Sequence, residues 1–311
     1  MNNPFKNSDN NKRYLTLAYH NNKVFGGRVY KASLNLGCIC PHINEETGQG
    51  GCTYCNYPKH NPRPLSEQIL TETNRIYKKN GRAKILAYFQ TGTNTYCDEK
   101  FLYKSCCDVI KGQNVVGISI GTRGDCITES VANMLYELSS NTYLTIELGL
   151  QSIHDITAKR INRGHSYKQF LKGYKMLKMR NIRTCIHLIN SLPGEDQKMM
   201  IETAREVGSL NPGGVKIHML NILSGTVMAE QYAASPFHIQ SREEYVETVV
   251  KQMEYFPSDV VMERLTGDGL KSDIIEPKWA TDKLKTLVEI DKLQAKLNSY
   301  QGKALEKDAL L

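Results

Sequence analysis

The feature that most constrains this chain is an alternation of two periodicities. Short runs rich in Ile, Leu, Val and Tyr recur at Val29–Asn35, Lys84–Gln90, Val115–Ile120, Tyr143–Leu148, Arg183–Ile189 and Gly214–Leu220, and stretches with helical apolar spacing separate them. Strands that alternate with amphipathic helices make βα units. Each crossover returns the chain to the same end of the sheet, so the strands run parallel. Parallel strands are covered on both faces and therefore read as nearly continuous apolar runs, as these do. Ser66 is expected to cap a helix with Ile69, Leu70, Ile76 and Tyr77 on its apolar face and Gly81 at its stop. Thr128 opens a second helix through Leu138. Ser166 opens a third, with Phe170, Leu171, Tyr174 and Leu177 on one face, and a fourth runs from about Glu195 to Val207. Six such repeats predict an α/β fold, a partial (β/α)6 TIM-like barrel whose chemistry lies at the C-terminal ends of its strands. Polar motifs fall at those ends, after Asn35, Phe89, Ile120, Glu147 and Asn190.

Beyond Leu220 the pattern changes to a helix near Arg242–Tyr255, a short extended run Asp259–Leu265, the motif RLTGDG, and a charged amphipathic helix over Asp282–Tyr300. Three segments are expected: a polar N-terminal arm at 1–18, the barrel core at 19–235, and an extension at 236–311 packed on the barrel. No apolar run approaches the roughly 18 residues of a membrane span. The N-terminal stretch lacks the apolar core of a signal peptide, so a cytoplasmic protein with no membrane partner is expected. The net charge of +8 is compatible with a polyanionic partner, although a solvated basic surface is the commoner cause of such an excess.

Nine cysteines in a reducing compartment point away from disulfides. Four of them crowd into GCICPHINEETGQGGCTYCNYP, where Cys52 and Cys55 form a C-x-x-C pair and Cys40 precedes them across a Gly-rich loop. Thiolates are the usual ligands of iron–sulfur clusters. Three of them on a four-iron cluster leave one iron open to the amine and carboxylate of S-adenosylmethionine (SAM). With Cys38 included, the same segment offers the four thiolates of a structural zinc site, and a zinc-stabilised nucleic-acid-binding protein is the competing reading. Cys38 and Cys40 alternate at a strand end and point to opposite faces, which favours packing for Cys38. Cys106 and Cys107 diverge around a helix, and Cys126 and Cys185 read as small buried hydrophobes.

The C-x11-C-x2-C spacing after KASLNLG, followed in order by YFQTGTNTY, GISIGTRGDC, IELGLQSIHD, INRGH, HLINSLPGED and RLTGDG, resembles the radical SAM superfamily, in particular the YhcC/YtqA-like family of its elongator-type branch. The resemblance implies that Cys40, Cys52 and Cys55 bind one [4Fe–4S] cluster, with SAM as the second cofactor. It implies that Gln90, Thr91 and Thr93 meet the methionyl amine, that Arg123, Glu147 and Gln151 contact the carboxylate or ribose, and that Leu192, Pro193 and Gly194 lie near the adenine. It further implies reductive SAM cleavage, an electron donor such as flavodoxin or ferredoxin, and tRNA as partner, through modification of the wobble-uridine C5 side chain. A protein or small-metabolite substrate is the alternative. From the residues alone, Arg123 also fits a helix cap, Glu147 a buried ion pair, and His165 and His187 satisfied core positions. Lys159, Arg160, Arg163, Lys168, Lys172, Lys175 and Lys178 offer a basic face to tRNA or to solvent.

Overall fold

The computed structural model describes residues 3–8, 10–44, 46, 50–56, 62–267 and 272–308. Positions 45 and 47–49 of the Gly-rich loop, and Asp268 and Gly269 of RLTGDG, lie outside the described residues. Nine strands are present among those described: β1 (Val29–Leu34), β2 (Lys84–Phe89), β3 (Val115–Arg123), β4 (Tyr143–Gln151), β5 (Arg183–Asn190), β6 (Gly214–Met219), β7 (Ile222–Leu223), β8 (Val261–Arg264) and β9 (Ile274–Glu276). Seven of them form one parallel sheet in the order β1-β2-β3-β4-β5-β6-β8, and β7 pairs antiparallel with β9. All six expected strands are there. A seventh comes from the extended run at 259–265, and the helix Arg242–Met253 is its crossover.

The sheet curls into an open barrel because alternate side chains from its two edges meet inside it. Lys31 on β1 lies 3.3 Å from Glu263 on β8, although these strands are the two ends of the sheet order. Outward positions such as Leu34, Phe89, Ile118, Ile120 and Ile146 pack under the helices as the main core. The exposed backbone of edge strand β8 is covered by the N-terminal segment: the Met262 N–H donates to Leu15 O at 2.8 Å, and Phe5, Tyr14 and Leu15 are buried.

Helix starts follow local chemistry. Thr128, Ser166 and Asp196 each accept a backbone N–H in their helix's first turn, and Ser166 forms a capping box with Gln169. Ser66 is not the cap expected of it. The helix Leu65–Asn80 begins two residues earlier than a Ser66 cap would set it, directly after Pro64, so Ser66 sits inside its first turn. Proline fixes φ and has no N–H to satisfy, which makes it the natural point of entry.

Candidate active site at the strand ends

A cavity of about 540 Å³ opens at the C-terminal ends of the strands. Cys40, Cys52 and Cys55 share one part of its lining, with Gln90, Thr91, Thr93, Arg123, Glu147 and Gln151 around it. Nine of the twelve residues singled out from sequence are thus brought together. Leu192, Pro193 and Gly194 are not. Leu192 is buried among Ile161, Leu220, Ile222 and Met228, and Pro193 O accepts from Arg160 Nη1 at 2.7 Å. Gly194 has φ +79°, and a Cβ there would lie 1.5 Å from the same guanidinium. This turn is built to seat Arg160 and packs behind the cavity wall.

The cysteine loop is held by its neighbours. Gly50, at φ +96°, brings the chain so close to His42 O that a Cβ would meet it at 2.4 Å. Thr53 N donates to Ile161 O, and Met228 N donates to Thr53 O at 2.8 Å, which pins the C-x-x-C turn between two later loops. Thr93 Oγ1 donates to Cys40 Sγ at 3.0 Å, and Asn94 ties the ends of β2 and β3 through Phe89 O and Gly121 O. A hydrogen bond with Cys55, then bonds with His42 and Tyr54, lower the Cys52 thiol to about 5 against the effect of its burial. That favours the thiolate, the form that binds iron. Cys38 faces elsewhere. It is buried, its thiol is bonded to Cys97, and it is absent from the cavity lining. The four-thiolate zinc arrangement is therefore not what this fold builds.

Arg123 is held as a bidentate partner of Asp125, at 2.9 and 2.8 Å, with Nη1 against His42 Nδ1 at 2.5 Å. Gln151 has φ +64° at the irregular end of β4, and Ser191 has φ +68° just past β5. Left-handed backbone at non-glycine residues is costly and persists where the surroundings enforce it, often beside a site. Glu147 lies deeper and is fully enclosed. Its carboxylate accepts from Lys31 Nζ at 2.5 Å, Ser119 Oγ at 2.6 Å, His187 at 2.8 Å and Lys216 Nζ. Lys31 first, then Lys216 and His187, hold it well below the usual carboxylate range despite burial. A carboxylate so occupied is the anchor of an interior charge network that reaches the cavity wall. Arg163 is structural: its buried guanidinium donates to the carbonyls of Leu150, Ser152 and His165.

Several cavity residues escaped the sequence reading: His42, Tyr54, Tyr88, Lys216, His218 and Asn221. The signal for two of them was available. A charged or imidazole side chain at an inward position of an otherwise apolar strand, as in GGVKIHML, marks a wall that is polar on one face.

His165 lines the same cavity, 3.8 Å from Asp125. Burial, then the charge of Arg163, lowers its pKa to about 4. Unfolded histidine takes up a proton near pH 6.5. The stability contributed by keeping His165 neutral is thus complete above about pH 6.5 and is lost as pH falls towards 4. Urea midpoints should decline over that window, more shallowly in His165→Gln. Equal slopes in the two proteins would place the acid sensitivity elsewhere.

With the geometry in hand, the comparisons define the class. Residues 40–207 match the Radical SAM superfamily and residues 212–295 match the Radical_SAM C-terminal domain. The chain belongs to the radical SAM superfamily, and its cofactors are a [4Fe–4S] cluster and SAM. Within that class it groups with the YhcC/YtqA-like proteins. It is 39% identical to YtqA of Bacillus subtilis over 99% of its own length and 97% of that protein, and 32% identical to YhcC of Escherichia coli over 90% and 92%. The tRNA uridine(34) acetyltransferase of Methanocaldococcus infernus is 28% identical over 49% of this chain and 29% of its own. Among solved structures, Elp3 of M. infernus matches with a TM-score of 0.68 at 20% identity, covering 88% of this chain and 64% of that one, which shows a shared fold.

Proposed function

We propose that this radical SAM enzyme abstracts hydrogen from the C5 side chain of the wobble uridine of tRNA. The observation that carries the reading is the cavity itself, which three thiols and a ring of strand-end polar groups line together. Support for tRNA comes from the similarity to a tRNA uridine(34) acetyltransferase. Cys40, Cys52 and Cys55 hold the cluster, and their number fits a four-iron group with one iron left for SAM. When bound, the cluster and SAM supply reductive cleavage of the sulfonium and a 5′-deoxyadenosyl radical. The protein's residues do the rest. Gln90, Thr91 and Thr93 offer hydrogen-bonding groups at the end of β2 for the methionyl amine. Arg123, fixed by Asp125, and Gln151 face the carboxylate and ribose. Cys55 is exposed at the lip, which gives an electron donor such as flavodoxin or ferredoxin a short path to the cluster.

The basic residues divide. Lys159, Arg160, Lys168, Lys172, Lys175 and Lys178 are exposed, while Arg163 is not available to a ligand. The helix Tyr167–Met179 follows β4 and runs back down the barrel, so Lys159 and Lys168 lie nearest the mouth. Contacts to phosphates release counterions, so tRNA affinity should fall steeply with salt. Deleting the gene should change the wobble-uridine side chain seen by nucleoside mass spectrometry, and suitably modified tRNA should accelerate 5′-deoxyadenosine formation by reconstituted enzyme. An unaltered nucleoside profile together with no stimulation by tRNA would overturn the tRNA assignment and favour a protein or small-metabolite substrate.

A further inference from the structure

The end of the barrel away from the cysteines carries another cavity, of about 450 Å³. It lies where β1 and β2 begin. Val29 pairs there with Lys84 in the sheet register, and Arg28, Lys79, Arg82 and Lys84 line the cleft together. Among the described residues its lining holds four cations and no carboxylate. Lys84 Nζ donates to Phe25 O, whereas Arg28, Lys79 and Arg82 are exposed. On the helix Leu65–Asn80, Glu72 is engaged by Arg75 at 2.7 Å, and Glu67 lies in the first turn, at the far end. A Cβ at Gly27 would meet nothing within 4 Å, so the backbone on that side is open to an incoming group. A helix C-terminus favours cations in its last turn, which accounts for Lys78 and Lys79. It does not account for Arg28 and Lys84 at the starts of β1 and β2, or for Arg82 beyond the helix. A cleft lined by one sign of charge focuses its field and concentrates anions.

We infer that this cleft holds backbone phosphates of the tRNA, remote from the base that reacts. Strands of six residues separate it from the cysteine mouth, roughly 20 Å at the rise of a parallel strand. A single nucleotide at the mouth does not span that distance, whereas a nucleic-acid stem carries phosphates along its whole length. Tyr30 and Ala83 are the only apolar side chains in the lining, while small-molecule sites are walled mostly by apolar groups. Lys and Arg on an open polar surface are the usual partners of phosphodiesters, and such contacts fix orientation without reading sequence. The inference rests on the tRNA reading above and adds a second point of contact to it. Two contacts so far apart orient the stem, and the wobble base is thereby presented to the mouth. Arg28, Lys79 and Arg82 are the phosphate contacts of this arrangement.

The test measures how salt affects the binding of tRNA, taken from a strain lacking the gene, to the reconstituted holoenzyme. Each phosphate contact contributes about one to the slope of log affinity against log salt, so Arg28→Gln/Lys79→Gln/Arg82→Gln should lower that slope by about three. At about 0.15 M salt the same variant should bind roughly tenfold to a hundredfold more weakly. The loss should appear in KM for tRNA rather than in kcat. Arg28→Lys/Lys79→Arg/Arg82→Lys keeps the charges and should keep the slope. Lys285→Gln/Lys292→Gln/Lys296→Gln removes three exposed charges from the helix Lys283–Lys296 and should leave the slope near that of the unaltered enzyme. Equal slopes in the cleft variant and the unaltered enzyme would overturn the site and leave the tRNA reading intact. Equal falls in the two glutamine triples would overturn it in favour of net charge alone. Inorganic pyrophosphate that binds the unaltered protein but not the cleft variant, without displacing tRNA, would assign the cleft to a small free anion instead. tRNA with no measurable affinity for the unaltered enzyme would remove both readings.

Discussion

Iron content should fall to background when Cys40, Cys52 or Cys55 is replaced by Ala, and remain at about four per chain in Cys38→Ala. Each of the three is irreplaceable for one reason. A cubane held by only two thiolates has lost a covalent ligand. Cys38, the nearest in sequence, is turned towards Cys97. Anaerobic reconstitution followed by iron and sulfide analysis, with 5′-deoxyadenosine as the activity readout, measures the effect directly. Each ligand variant should lose SAM cleavage altogether. A cluster lost in Cys38→Ala would reopen the four-thiolate arrangement.

The second large effect is on stability. Glu147→Ala removes the anion that Lys31, Lys216 and His187 share, and leaves the buried Lys216 ammonium without its ion pair while Lys31 keeps Glu263. Breaking a buried pair by removing one partner costs roughly 3–5 kcal/mol. For a chain of this length that is a fall in Tm on the order of 10 °C. Adding Lys216→Met to Glu147→Ala should recover part of the loss, since the two act on one interaction. Tm measured on the four proteins of that cycle decides it, and strictly additive losses would mean that the network is not coupled. The network also sets the pH range. Glu263 is pushed down to about 2, against burial, by Lys31 and Arg183, so its contribution is present above about pH 4.3 and fades below. Lys31 is raised by Glu147 and Glu263 against its own burial, so its share is complete below about pH 10.4 and is lost only as pH rises through the folded value.

The barrel was legible because buried parallel strands advertise themselves as apolar runs between helices. β8 was harder to read as a member of the sheet. It is four residues long, two of them charged, and its partner β6 lies more than forty residues earlier, beyond β7 and two helices. The cysteine cluster could be read from spacing, since a thiol cluster has few uses in a reducing compartment, whereas iron–sulfur rather than zinc rested on the resemblance. The floor of the cavity could not, because which inward residues meet depends on how far the sheet curls. Lys31 and Glu263 are 232 residues apart and touch only once the first and last strands of the sheet face each other. The packing of Leu192, Pro193 and Gly194 was hidden for a related reason. Their motif is tied to a nucleotide site by resemblance, yet here its backbone is committed to Arg160.

The seam along β8 has a consequence for biosynthesis. Leu15 O accepts from Met262, Leu15 N donates to Gln301 Oε1, and Gln301 Nε2 donates to Pro257 O and Val260 O, so three stretches far apart in sequence close on one another. Contacts between such distant stretches form late, because the chain between them must be ordered first. On the ribosome, the segment around Leu15 emerges early and must wait, unpaired, until residues near 262 and 301 follow. Its apolar side chains are thus open to chaperones for most of translation. The same delay leaves β1 to β6 as the portion that can assemble first, with the seam as the final lock.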